Sequence, residues 1–182
     1  MSKFNVPTKA EVSEKNQAIF GNLESALGFV PNLYAYYAKS ETALEDYLTF
    51  QNRKTSLSKR EKEIVNLVVS EYNGCQYCLS AHTAIAGMNG FTPEQILEVR
   101  TGEAYFDSKL NSLAQFTLAV VKAKGQVSEE VKTQFLNAGY TEENLIDTVL
   151  NIGDKTVSNY IHNIAGFAVD FPQAPSLELQ TA

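Results

Sequence analysis

Residues 58–90 have the sequence SKREKEIVNLVVSEYNGCQYCLSAHTAIAGMNG, and this stretch decides the fold. Ser58 and Glu61 have the S-x-x-E spacing of a capping box, which is typical of a helix start. Apolar residues then recur at the i, i+3, i+4 spacing of one helix face. Asn73-Gly74 is a turn signal that interrupts this pattern. The stretch therefore predicts two helices joined by a tight turn, over about Lys59–Tyr72 and about Cys75–Met88.

The rest of the chain has the same helical patterning and almost no strand signal. Two similar phrases, Gly90–Leu97 and Gly139–Ile146, each place a threonine cap before a helical repeat. We expect an all-α, single-domain multi-helix bundle of roughly eight helices over residues 1–175, followed by a loose tail at 176–182. Other helices are predicted over about Val12–Leu27, after Ser40, over Leu110–Lys124, over Ser128–Asn137, and from Thr141 to about Val169 with a bend near Gly153.

Composition and charge narrow the classes of function. The 182 residues carry a net charge of −6 with no basic cluster, which argues against nucleic-acid binding because phosphate must be neutralised. No apolar run is long enough to span a membrane, and the N-terminus lacks the apolar core of a signal peptide. These features predict a cytoplasmic protein that binds neither nucleic acid nor membrane.

Two stretches of the sequence contain no charged residue, Tyr72–Pro93 and Thr156–Val169. Neither is apolar enough for a bilayer, and together they hold both histidines. Charge-free helices of this kind are usually enclosed by neighbouring helices or by another subunit.

The only two cysteines form the C-x-x-C pair Cys75-Gln-Tyr-Cys78. The loop they close is too short to brace the fold, so a redox or metal-binding role is favoured. Both lie at the predicted start of a helix, where free N–H groups lower a thiol pKa from its usual value of about 8.5. At 100° per residue, Cys75, Cys78 and His82 fall within a helix sector of roughly 60°. His82 is therefore expected to exchange a proton with the sulfur of Cys78, four residues earlier.

Glu63, in the preceding helix, is the fourth candidate for a functional residue, after Cys75, Cys78 and His82. A tight return through the turn can bring it against the cysteine helix, where it would orient His82 or pass a proton through water. The sequence alone does not separate Glu63 from Glu61 in this role. His162 lies in the second charge-free stretch without a nearby partner in sequence, and a structural or interface role is favoured for it.

The phrase from Glu63 to His82, E-x6-S-x2-N-x-C-x2-C-x2-A-H, resembles the alkyl hydroperoxidase D-like branch of the carboxymuconolactone decarboxylase family. The phrases Gly28–Leu33 and Asn159–Pro172 resemble the longer, peroxidase-related members. The resemblance extends over about residues 20–172. It implies an all-α subunit of the alkyl hydroperoxidase D-like type that assembles into trimers or hexamers.

The resemblance also implies a function and a role for each site residue. A hydroperoxide would oxidise Cys78, Cys75 would resolve it as a disulfide, and Glu63 with His82 would form the proton relay. The reductant would be a dithiol partner, either a lipoyl group or a thioredoxin-like protein, and no metal or organic cofactor is required. This chain departs from the family in one position, because Tyr77 stands where well-studied members have a histidine, and a tyrosine does not titrate near neutral pH.

Other interpretations of the same residues remain open. Cys75, Cys78 and His82 can supply three metal ligands, with Glu63 or His162 as a fourth. The cysteine pair can also serve general dithiol–disulfide exchange, or sense redox state in a helical oligomer without peroxidase turnover. A thioredoxin-like enzyme is disfavoured, because its C-x-x-C follows a strand. The decarboxylase branch is disfavoured because its members do not use this cysteine pair.

Overall fold

The computed structural model describes residues 4–177, and within that range all regular elements are helices, as predicted. Residues 1–3 and most of the predicted tail, 178–182, lie outside the described residues. The described part has nine α-helices rather than roughly eight, after a short 3-10 helix at Lys9–Glu11. They are α1 (Glu14–Leu27), α2 (Asn32–Tyr37), α3 (Ala43–Gln51), α4 (Lys59–Tyr72), α5 (Gln76–Met88), α6 (Pro93–Arg100), α7 (Ser108–Lys122), α8 (Glu129–Asn137) and α9 (Glu142–Ala165).

Of the two helices in residues 58–90, α4 has the predicted limits, and α5 begins at Gln76, one residue after the predicted start. Ser58 caps α4 in a reciprocal capping box with Glu61. After α4 the backbone reverses at Gly74, whose φ of +62° lies in the left-handed region that favours glycine. Cys75 then caps α5, with its sulfur accepting a hydrogen bond from the N–H of Cys78. The tight turn between the helices is therefore confirmed.

The prediction for α9 is wrong at its C-terminal end. The helix runs unbroken through Gly153 but ends at Ala165, four residues before Val169. Gly166 stops it by adopting a left-handed conformation, with φ +61°, and its N–H donates to the carbonyl of His162 at 2.7 Å. The apolar residues after Gly166 continue the helical sequence pattern, although they belong to an extended segment.

Helix starts elsewhere differ by one turn or less from the sequence pattern. The helix expected after Ser40 begins at Ala43, because residues 40–42 form a turn. The helix expected from Leu110 begins at Ser108, because Asp107 accepts hydrogen bonds from the N–H groups of Lys109 and Leu110.

Helix α4 is the centre of the packing, and it contacts α5, α6, α7 and α9. Residues Ile64–Val69 of this helix are all buried, and the polar Asn66 lies among the apolar ones. One apolar cluster joins α4 to α6, α7 and α8, and a second joins α1, α2 and α3 to the start of α5. The cysteine helix therefore lies where the two clusters meet.

The segment after α9 returns across the cysteine helix. Asp170 accepts a hydrogen bond from the backbone N–H of Asn32 at 2.6 Å, and the Asn32 side chain donates to Ala168 O at 3.0 Å. Ser80 accepts from the N–H of Ala174 at 3.0 Å. The two flanking phrases of the sequence thus lie side by side over α5.

The two charge-free stretches differ in their surroundings. Most of α5 is buried, as expected. Helix α9 instead leaves a row of large apolar side chains exposed. The row consists of Ile146, Val149, Leu150, Val157, Tyr160 and Ile164. Between residues 4 and 177 no helix combines the length and hydropathy needed to cross a membrane.

Candidate active site

The turn that carries the first cysteine is held by asparagines of α9. Asn159 donates to the hydroxyl of Ser70 at 3.2 Å and accepts from the Asn73 side chain at 2.9 Å. Asn163 donates to the Asn73 carbonyl at 2.8 Å, and the N–H of Cys75 donates to Ser70 O at 2.9 Å. The serine and asparagine of the sequence motif therefore fix the position of the sulfur-bearing turn.

The two cysteines are free thiols at the start of α5, and both are buried. The sulfur of Cys75 lies 3.4 Å from the N–H nitrogen of Cys78. The sulfur of Cys78 lies 4.0 Å from the hydroxyl of Ser158 on α9. The two thiols also hydrogen-bond each other.

The environment makes Cys78 the more acidic thiol. The hydrogen bond from Cys75 lowers the pKa of Cys78 to about 6, against the opposing effect of burial, and the charges of Lys155 and His82 add to the lowering. The same hydrogen bond, together with burial, raises the pKa of Cys75 far above its usual range. At neutral pH the pair therefore consists of a Cys78 thiolate and a Cys75 thiol.

Glu63 and His82 form a buried hydrogen-bonded pair beside the thiols. His82 Nδ1 lies 2.8 Å from Glu63 Oε2, and Asn66 donates to the other oxygen of Glu63 at 3.0 Å. Asn66 in turn accepts from Asn151 at 3.0 Å. Burial alone would favour the neutral acid, but the His82 charge and these hydrogen bonds lower the pKa of Glu63. An ionised Glu63 accepts the proton of Nδ1, so in neutral His82 the other ring nitrogen, Nε2, is the acceptor.

The structure separates the two glutamates that the sequence left equivalent. Glu61 is the capping residue of α4 and hydrogen-bonds the N–H of Ser58 at 2.8 Å. Glu63 is buried against His82. Glu63 is therefore the glutamate of the candidate site.

A cavity of about 560 Å³ opens beside these residues, with Cys78, His82 and Glu63 in its lining. Most of its other walls are apolar, and they include Leu33 and Phe171. Cys75 does not line the cavity and is fully buried. Of the three groups expected on one helix face, Cys78 and His82 face the cavity, whereas Cys75 caps the helix and does not reach the cavity.

Sequence reasoning missed Lys155, which is buried and lines the same cavity. Its charge acts on both Cys78 and Glu63. The sequence did contain a signal for the burial of Lys155. Polar residues of α9 recur at helical spacing on one face, while the apolar residues lie on the opposite face. The buried polar set is Asp147, Thr148, Asn151, Asp154, Lys155, Ser158 and Asn159.

His162 contacts the cysteine that lies away from the cavity. Its Nδ1 is 3.8 Å from the sulfur of Cys75, and its Nε2 is 3.0 Å from the carbonyl of Phe167. The histidine for which the sequence favoured a structural or interface role therefore contacts Cys75 of the C-x-x-C pair.

Tyr77, which replaces the family histidine, is a packing residue in this chain. Its hydroxyl accepts a hydrogen bond from the N–H of Leu33 at 3.2 Å. Its ring meets Phe167 and Phe171 edge-on and lies 5.1 Å from the ring centre of His162. Tyr77 thus joins α5 to both flanking phrases.

The ligand set considered for a metal does not converge on one point. His82 contacts Glu63 through Nδ1, whereas His162 contacts Cys75 through Nδ1. Over residues 4–177, no group of three or more His, Cys, Asp or Glu side chains is arranged to hold a metal ion.

Several solved structures share the fold of this chain. The chain superposes on the alkylhydroperoxidase core of a peroxidase-related protein from Ralstonia eutropha JMP134 with a TM-score of 0.82 and 23% identity, covering 93% of this chain and 92% of that one. For a peroxidase-related protein from Silicibacter sp. TM1040 the TM-score is 0.83 at 20% identity, covering 97% and 96%. The debrominase Bmp8 in complex with 2,3,4-tribromopyrrole gives 0.75 at 15% identity, covering 93% and 92%.

The sequence comparison gives the family. No curated protein matches the chain. The pattern of the carboxymuconolactone decarboxylase family matches residues 38–121, a segment that contains Glu63, both cysteines and His82. Residues 38–121 therefore belong to the carboxymuconolactone decarboxylase family, and the chain has the fold of its alkyl hydroperoxidase D-like branch.

Proposed function

We propose that this protein is a thiol-dependent peroxidase that reduces hydroperoxides through Cys75 and Cys78. One observation carries the proposal: Cys78, whose pKa is lowered to about 6, lines a cavity together with a histidine held by a buried carboxylate. A thiolate is the nucleophilic form of cysteine, and it needs an access route and a proton donor to reduce a peroxide quickly.

In the first step the Cys78 thiolate attacks the terminal oxygen of the hydroperoxide. A sulfur–oxygen bond forms, the oxygen–oxygen bond breaks, and Cys78 is oxidised to a sulfenic acid. The other oxygen leaves with the electron pair and takes a proton from His82, which gives an alcohol or water. Glu63 fixes the orientation of the His82 ring through its contact with Nδ1.

In the second step Cys75 attacks the sulfenic sulfur, and the two thiols become a disulfide with loss of water. A dithiol donor, a lipoyl group or a thioredoxin-like protein, then restores the thiols by exchange. The cycle uses the side chains of this chain and requires no metal or organic cofactor. Such a cycle is suited to a reducing compartment, and we place the protein in the cytoplasm.

The cavity favours an organic hydroperoxide as substrate. Its volume of about 560 Å³ far exceeds what hydrogen peroxide needs, and its lining is mostly apolar. Three apolar residues of the lining, Leu27, Phe29 and Met88, are exposed and form an apolar entrance. An alkyl or aromatic body can bind there while its peroxide group reaches Cys78.

We also propose that the subunits assemble through α9. The exposed apolar row on this helix lies opposite its buried polar face, and residues 156–165 of the helix include no Asp, Glu, Lys or Arg. Contiguous apolar surface of this kind usually marks an interface. A homotrimer or a hexamer would cover it.

The cysteine roles are tested with a matched pair of variants. We expect Cys78→Ser to abolish rapid reaction with cumene hydroperoxide, because the cavity-facing thiolate is lost. Cys75→Ser should still react but stop at a sulfenic acid, which dimedone traps and mass spectrometry detects on Cys78. Rapid oxidation of the Cys78→Ser variant would assign the nucleophile to Cys75 instead.

The activity itself is tested by comparing the native protein with the urea-unfolded chain. The native thiol should react with hydroperoxide at least ~100-fold faster than the unfolded thiols, because proton donation contributes on that scale. If the native rate equals the unfolded rate while disulfide substrates still oxidise the pair, the protein is a general dithiol–disulfide oxidoreductase.

The contribution of Lys155 is tested by the pH dependence of Cys78 oxidation. The rate should rise with pH through about 6 and then level off, because the thiolate is the reactive form and its pKa is lowered. Lys155→Met removes a positive charge beside the sulfur, so the midpoint should rise by about one pH unit. Lys62→Met, at a more exposed position of the same cavity, is the matched control and should leave the midpoint in place. Equal midpoints in all three proteins would show that Lys155 does not stabilise the thiolate.

Assembly is tested by sedimentation at micromolar concentration. We expect the wild-type chain to be an oligomer and the double variant Tyr160→Glu, Ile164→Glu to be a smaller species with unchanged helicity. Leu136→Glu places the same charge on an exposed apolar residue of α8 and should not alter the mass. A monomeric wild type, or an unaltered double variant, would remove α9 as the interface.

A further inference from the structure

The resolving cysteine has a proton to lose and no direct access to the cavity. Cys75 is fully buried and does not line the cavity, whereas Cys78 and His82 do. In the reduced protein its proton is held by the Cys78 thiolate. Oxidation of Cys78 to a sulfenic acid removes that anion, so the proton needs a different acceptor before Cys75 can act as a nucleophile.

His162 presents a nitrogen to this sulfur. Its Nε2 lies 3.0 Å from the carbonyl of Phe167, and because a carbonyl can only accept, Nε2 carries the hydrogen. In the neutral ring Nδ1 is therefore the acceptor, and it is the atom 3.8 Å from Cys75 Sγ. The hydrogen bond to Phe167 thus selects the tautomer that can take a proton from Cys75.

The other side chains that meet the Cys75 sulfur do not offer a base. Asn159 contacts it with an amide, which donates a hydrogen bond and does not bind a proton near neutral pH. Cys78 has lost its charge once it is oxidised. His162 is half-buried, so it can carry the proton from the buried sulfur towards the surface.

We propose that His162 is the base for the resolving step, an inference that rests on the proposed function. The Cys75 S–H bond breaks and its proton goes to Nδ1 of His162. The sulfur electron pair forms the disulfide bond with Cys78, whose S–O bond breaks. His82 regains a proton from solvent after the peroxide step, and the oxygen of the sulfenic acid leaves as hydroxide and takes that proton to become water. Cys75 is oxidised and the sulfenic sulfur is reduced, while the two histidines exchange protons with solvent afterwards.

The two cysteines would accordingly have separate histidines. His82, held by Glu63, serves the cavity-facing Cys78, and His162, held by the Phe167 carbonyl, serves Cys75. The Tyr77 ring packs 5.1 Å from His162 and helps to hold it against Cys75.

Two variants separate the base from its structural contacts. His162→Phe keeps an aromatic ring against Tyr77 and Phe167 but has no nitrogen. His162→Gln keeps an N–H donor for the Phe167 carbonyl but has no base. We expect both variants to form the Cys78 sulfenic acid at the wild-type rate and to convert it to the disulfide about 100-fold more slowly. Dimedone trapping against time measures both steps.

A second probe makes the inference independent of peroxide chemistry. Dithiodipyridine reacts first with Cys78 and then releases a second thiopyridone when Cys75 attacks the mixed disulfide. In both variants the first release should be unchanged and the second should be slowed to a similar extent. If wild-type protein fails to react with hydroperoxide but the second release still depends on His162, the proposed function is wrong and this inference stands.

Several results would overturn the inference. A second release at the wild-type rate in both variants would show that His162 is not the base. A slow second release in His162→Phe alone would show that the Phe167 hydrogen bond matters and the base does not. Equal slowing of both releases, or loss of helicity, in both variants would show that His162 supports the structure of the site.

Discussion

The hydrogen bond between the two sulfurs is the interaction on which the rest of the site depends. It assigns the proton to Cys75 and the charge to Cys78, although both thiols are buried. Burial alone would keep both thiols neutral, so this asymmetry requires the Cys75 donor and the nearby positive charges. The turn at Gly74 and the N-cap position of Cys75 are the local structures that fix its geometry. An unsymmetrical pair can separate attack from resolution, which a pair of equivalent thiols cannot.

Helix α9 supplies the surroundings that make the asymmetry possible. A surface helix usually buries its apolar face and exposes its polar face. Helix α9 does the opposite: its polar stripe faces the protein and its apolar row faces outward. The buried stripe brings Lys155 and Ser158 to Cys78 and Asn159 to the sulfur-bearing turn. Two members of this stripe, Asn151 and Asn159, donate hydrogen bonds to Asn66 and Ser70 of α4. If another subunit covers the outer row, assembly and the cysteine site depend on the same helix.

The sequence predicted the parts of the fold that local signals determine. The capping box of Ser58 and Glu61 set the start of α4, and the C-x-x-C pair with His82 marked the site within one helix. Glu63 and His82 are nineteen residues apart and joined by one turn, so their pairing was also within reach of sequence reasoning. The end of α9 was missed, because apolar residues continue beyond Gly166 and conceal the left-handed cap.

Contacts between distant segments were the part that the sequence could not supply. Lys155 and His162 reach the cysteines from a helix about eighty residues further along the chain. Their positions depend on how α9 packs against α4 and α5, which local patterns do not determine. Lys155, next to the charge-free stretch, was therefore not assigned to the site. His162, within that stretch, could not be given a contact partner from the sequence.

The most direct test of the central claim is a carbon-13 NMR titration of the two cysteine Cβ atoms in the reduced protein, with each residue assigned by its serine variant. We expect Cys78 to ionise near pH 6 and Cys75 to remain protonated across the range in which the protein is folded. A titration in which Cys75 ionises first, or in which both thiols ionise together near their usual pKa, would contradict it.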